Sequence, residues 1–120
     1  MAVNCEIKNG VGLVSVTGSL NAAMAESSRN QVNAWFQTRP EMKQVVVDLG
    51  GVNFMDSPGL GALIGVFKRI AERGGNMSLA RVLPKVRTVL EITRTNRIFQ
   101  FFDTTEEALR QPPRSGDGKP

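Results

Sequence analysis

Ser57 stands where the side chains able to do chemistry meet backbone features that would present them. The run Val45-Val46-Val47-Asp48-Leu49-Gly50-Gly51-Val52-Asn53-Phe54-Met55-Asp56-Ser57-Pro58-Gly59-Leu60-Gly61 reads as a strand, a glycine-rich turn, an Asp-Ser pair and a helix start. A hydroxyl placed there can be a nucleophile, a helix cap or a phosphoacceptor. Nucleophilic catalysis needs a base within reach. The chain has no histidine and no tyrosine, which leaves Asp56, a carboxylate of ordinary pKa about 4 and a poor base for a hydroxyl. No catalytic residue is therefore assigned, and the protein is not expected to be an enzyme. As a cap, Ser57 would accept from the free N–H groups of the first turn, with Pro58 at the first helical position. As a phosphoacceptor it would gain about −1.5 to −2 charges at the positive end of a helix. That modification would change what binds the surface rather than the fold.

Other chemistry is poorly supported. Gly50-Gly51 and Gly59-x-Gly61 match neither the P-loop nor the dinucleotide spacing, so no cofactor is expected. Cys5 is the single cysteine; it has no disulfide partner within the chain and no histidine to share a metal, and it reads as a small buried residue on the first strand. Fifteen basic against eleven acidic residues give a net charge of +4, but the basic residues spread from Lys8 to Lys119 without an aromatic-interleaved stripe. Direct nucleic-acid binding is not expected. Lys85, Arg87, Arg94 and Arg97 form the one local concentration, which would equally suit an acidic protein partner. Nothing approaches the roughly 20 apolar residues of a membrane span, and the basic-then-apolar pattern of a signal peptide is missing, so the expected location is the cytoplasm without membrane insertion.

The positioning elements follow from periodicity and punctuation. Val3 to Lys8 and Val11 to Thr17 read as strands around Asn9-Gly10, a pair suited to a tight hairpin. Asn21 can cap a helix running to about Thr38, which Arg39-Pro40 ends. Gln44 to Leu49 is a strand covered on both faces. Leu60, Leu63, Ile64, Phe67 and Ala71 share one face of the following helix, which Gly74-Gly75 stop; Gly61 and Gly65 would let it approach the sheet closely. Asn76 to Ala80 is the next strand, Pro84 to about Arg94 a helix, Ile98 to Phe102 a last strand, and Asp103 to Glu107 opens a final helix. The expected fold is a single α/β domain over residues 1–110, a mixed and mostly parallel sheet of about five strands with helices mainly on one face. Residues 111–120 read as a disordered tail.

Phe54-Met55-Asp56-Ser57-Pro58-Gly59-Leu60-Gly61, behind a valine-rich strand ending in Asp48-Leu49 and ahead of Arg73-Gly74-Gly75, resembles the signature of the STAS domain, specifically that of bacterial anti-sigma factor antagonists. The resemblance spans about Val3 to Leu109. It implies the STAS fold, with Ser57 as the residue phosphorylated by a partner. It implies as partners an anti-sigma factor that is also a serine kinase with a histidine-kinase-like ATPase domain, and a metal-dependent serine phosphatase that resets the switch. Asp56, Met55, Pro58, Gly59, Leu60 and Asn21 are the candidate partner-binding residues. Phe54, Met55 and Leu60 either form an apolar collar, or Phe54 and Leu60 are core and only Met55 is exposed. Two departures stand out: Asn21 where the family commonly has Asp, and Pro58 where it more often has Ser or Thr. The alternative reading keeps the fold but makes the chain a scaffold or accessory subunit of a stress-sensing, secretion-regulating or lipid-transport complex.

Overall fold

Asn9 and Gly10 have φ angles of 55° and 76°, the two positive values of a tight hairpin turn. They join β1 (Ala2–Lys8) to β2 (Val11–Leu20) as an antiparallel pair in which Lys8 faces Val11. The computed structural model describes residues 2–110; the segment 111–120, expected to be a tail, lies outside the described residues. After the hairpin, strands and helices alternate: α1 (Ala22–Gln37), β3 (Gln44–Met55), α2 (Ser57–Glu72), β4 (Asn76–Ala80), α3 (Pro84–Ile92), a 3-10 turn (Thr95–Arg97), β5 (Gln100–Phe102) and α4 (Thr105–Arg110). The sheet order is β1-β2-β3-β4-β5, with every pair after the first parallel.

Alternation along β3 divides the core. Val45, Val47 and Leu49 join Val14, Val16 and Leu79 in one cluster, which also takes in Val32 and Phe36 of α1, Leu63, Val66 and Ile70 of α2, and Val86 and Leu90 of α3. On the other face Val46, Val11, Leu13 and Ala80 meet Ala108 of α4, with Phe102 and Leu109 packed against them. Three helices thus lie on one face and the short α4 on the other.

Several boundaries differ from expectation. Gly50-Gly51 is not a turn but part of β3, which runs on to Met55, while β2 continues to Leu20 instead of stopping at Thr17. The two strands stay paired through two register shifts, Ser15↔Asp48 to Thr17↔Gly51 and Gly18↔Val52 to Ser19↔Phe54, each adding a residue on the β3 side. These are bulges, and a glycine serves one of them: a Cβ on Gly51 would run into the Thr17 side chain. At the C-terminal end, α3 stops at Ile92, and Ile98 and Phe99 follow the 3-10 turn rather than starting β5. Gly61 and Gly65 do not admit the sheet: a Cβ on Gly61 would meet nothing, and one on Gly65 would touch Arg29 of α1.

Candidate functional site

Leu20 lies opposite Met55 at the ends of two parallel neighbours. Because both strands stop at this level, the helices that follow them start side by side. Asp56 sits at the junction in an extended conformation, φ −107° and ψ −176°. Its Oδ1 accepts from the Gly59 N–H at 2.9 Å and its Oδ2 from the Ala22 N–H at 2.9 Å. One carboxylate therefore serves the first turns of both α1 and α2. The Asp56 N–H in turn donates to the Leu20 carbonyl at 3.3 Å. Asn21 caps α1 from its own side, Oδ1 accepting from the Met24 N–H at 3.1 Å.

The cap of α2 is thus Asp56, not Ser57, and Pro58 is the second helical residue rather than the first. Asp and Ser cap almost equally well in isolation; only the carboxylate has a second oxygen to offer α1. Freed from capping, Ser57 lies exposed at the first helical position, and among the described residues its hydroxyl makes no hydrogen bond. No Lys or Arg among the described residues forms an ion pair with Asp56. An anion added at Ser57 would meet the positive end of the helix. It would find few amide donors, however, since the Gly59 N–H is taken by Asp56 and Pro58 has none.

The structure brings Asn21, Asp56, Ser57 and Pro58 together at one surface. The apolar members sort differently from expectation. Met55, foreseen as exposed, is buried at 4% relative exposure, whereas Phe54 is 49% exposed. The cause is the second β3 bulge, which shifts the side-chain parity after Val52, turning Phe54 outward and Met55 inward. Leu60 is core at 6% exposure. Gly59 is buried, and the Leu20 carbonyl comes so close that any Cβ there would strike it. Gly61 faces open space one turn into α2.

Sequence reading missed a second carboxylate station. Asp48, buried at 8% exposure, accepts from the Gly50 N–H at 2.8 Å and from Arg81 Nε and Nη2, each at 3.0 Å. The hydrogen bond and charge of Asp48 raise the Arg81 pKa above its ordinary value. Arg81 holds a left-handed φ of 56°, and its N–H donates to the Phe102 carbonyl at 3.0 Å. Nothing near Asp48 in sequence announced the arginine, which follows directly on β4. Cys5 is half-buried rather than buried, and desolvation pushes its thiol pKa upward.

The family model described as the STAS domain matches residues 2–108. The chain belongs to the STAS domain family. Within that family the relatives it matches include anti-sigma factor antagonists: it is 30% identical over 111 residues to the anti-sigma F factor antagonist of Paenibacillus polymyxa, covering 92% of this chain and 94% of that one. A solved anti-sigma-factor antagonist (STAS) domain protein from Planctomyces limnophilus superposes with a TM-score of 0.79 at 27% identity, covering 89% of this chain and 93% of that one. The antagonist SpoIIAA in its unphosphorylated form shares the fold, with a TM-score of 0.67, 23% identity and coverage of 88% and 92%. By homology this STAS domain falls among the anti-sigma factor antagonists. No helix of its described residues is long and apolar enough to cross a membrane.

Proposed function

We propose that this STAS domain is a phosphorylation-controlled anti-sigma factor antagonist acting in the cytoplasm. Unphosphorylated, it binds an anti-sigma factor that is also a serine kinase of the histidine-kinase-like ATPase type, and so frees a sigma factor. Transfer of a phosphoryl group to the Ser57 hydroxyl ends the binding, and a metal-dependent serine phosphatase restores it. ATP and metal belong to the partners, not to this chain.

The observation that carries this reading is the Ser57 hydroxyl itself: exposed and, among the described residues, without a hydrogen bond and beside a carboxylate that no cation pairs with. A partner packed there would face a phosphate and Asp56 together, two anions whose desolvation it cannot offset. Phe54, Pro58 and the bare backbone at Gly61 form the surface the partner covers. Met55, Gly59 and Leu60 hold the loop from beneath, and Asn21 borders it. That SpoIIAA has also been solved in a phosphorylated form, at 20% identity and a TM-score of 0.66, supports the same reading for a shared fold.

The test is capture of partners from a lysate of the native cell on immobilised wild-type, Ser57→Ala and Ser57→Asp protein, identified by mass spectrometry. Recovery of a serine kinase by the wild type and the Ala variant, with its loss on the Asp variant, is expected. If all three capture the same partners, or none captures a kinase, the switch is lost as an explanation and the scaffold reading leads.

A further inference from the structure

The basic concentration noted in the sequence finds no role at the Ser57 surface. Helix α3 leaves the sheet after β4, at the end where Ala80 pairs with Phe102, and runs back along it. The segment after α3 therefore lies toward the opposite end, where β5 begins again beside Ser78. Ser57 follows the far end of β3, nine residues beyond Asp48 of the Asp48↔Ala80 pair. The two surfaces therefore lie toward opposite ends of the sheet.

What this remote segment presents is unusual for a free surface. Ile92 is 76% exposed, the most exposed large apolar residue described, and Ile98 is 42% exposed. Between them Arg94 and Arg97 are exposed and form no ion pair among the described residues. Arg94 is held at a left-handed φ of 62°, a conformation that a long side chain adopts at a cost. The backbone beneath is fastened: the Thr93 hydroxyl donates to the Val89 carbonyl at 2.8 Å, the Thr95 hydroxyl donates to the Leu90 carbonyl at 3.3 Å, and the two hydroxyls lie 2.9 Å apart. Beside it, the Arg87 guanidinium stacks 4.3 Å from the Phe101 ring centroid. Two isoleucines and two unpaired arginines thus project from a segment tied in place, the mixture of apolar anchor and guanidinium that marks protein interfaces.

We propose that Ile92–Ile98 is a second docking surface, independent of Ser57, for a protein surface that is apolar at its centre and acidic at its rim, an amphipathic helix carrying glutamates being the simplest form. Charge complementarity selects the partner: Arg94 and Arg97 offer planar donor forks that match carboxylates, and the isoleucines need an apolar counterpart. A single-stranded nucleic acid would instead call for exposed aromatic platforms, whereas Phe99 is buried and Phe101 lies under Arg87, and a duplex would call for a wider basic face than two arginines. A lipid surface would require a broader continuous apolar face than two side chains.

The experiment is an NMR titration of isotope-labelled full-length protein with three probes: an amphipathic Glu/Leu helical peptide, the same peptide with Lys in place of Glu, and phosphatidylglycerol vesicles. Shifts confined to the end of α3 and residues 92–98 are expected with the Glu/Leu peptide alone. Affinity should fall at least tenfold in Ile92→Ser and again in Arg94→Gly, which keeps the left-handed backbone accessible, and should stay unchanged in Ser57→Asp. Equal response to the Lys peptide, response only to vesicles, no response at all, or loss of binding in Ser57→Asp would each overturn the proposal.

Discussion

Asp48 and Asp56 belong to one stretch of chain, each has a glycine two or three residues ahead of it, and each uses its carboxylate on a backbone N–H of that glycine. Their remaining hydrogen bonds part company. Asp48 takes the Arg81 guanidinium, so its charge is matched and its role is to fasten the middle of β3 to the residue that follows β4. Asp56 takes the first amide of α1, so two helices are tied together while, among the described residues, no cation pairs with its charge. A carboxylate matched by a cation is structural; one held only by amides keeps a potential that a neighbouring phosphate can add to.

The largest effect should come from breaking the platform on which Asp56 sits. Gly59→Ala drives a Cβ into the Leu20 carbonyl, and a loss of at least about 3 kcal/mol is expected by urea unfolding, in the range reserved for steric failures in a core. Next, Asp48→Ala should cost about 2 kcal/mol, as a charged hydrogen-bonding centre is lost from a buried position; the share of Arg81 is discounted because its side chain is 53% exposed. Asp56→Ala should cost about 1 to 2 kcal/mol through loss of the cap, and hydrogen exchange should quicken at both Ala22 and Gly59. Quickening at Gly59 alone would break the claim that one carboxylate serves two helices. Gly61→Ala should reverse the sign, stabilising the fold by about 0.5 to 1 kcal/mol because a helical glycine touching nothing is replaced, while weakening capture of the anti-sigma factor.

The smallest effect concerns neither carboxylate and serves as a control. Burial raises the Cys5 thiol pKa in the folded state, so the unfolded chain releases its proton first. The stability this contributes is complete below the unfolded thiol pKa and is lost as pH rises through the folded one. Thermal unfolding should show a shallow alkaline decline that Cys5→Ala flattens and that Asp48→Ala and Asp56→Ala leave in place.

Much of this molecule is legible in its sequence where local chemistry has one solution. Asn9-Gly10 dictates the hairpin because both residues tolerate positive φ, Asn21 caps α1, and Asn76–Ala80 is a strand at its expected bounds. The Asp-Ser-Pro-Gly run places a helix start, and its resemblance to one family directs attention to Ser57 before any coordinate is known. What local chemistry leaves degenerate, tertiary contacts resolve. Asp56 and Ser57 are near-equal caps, and the choice falls to Asp56 because Ala22, from a different helix, offers its amide. Phe54 and Met55 exchange faces because β2 imposes a bulge on β3, and a shift of one residue inverts a two-residue period. Asp48 is paired because Arg81 arrives just past the end of the adjacent strand. The sequence by itself determined where most of the elements start and singled out Ser57 at the head of α2. Only the tertiary structure decided which side chains surround it, because caps, bulges and ion pairs depend on partners that distant parts of the chain must deliver.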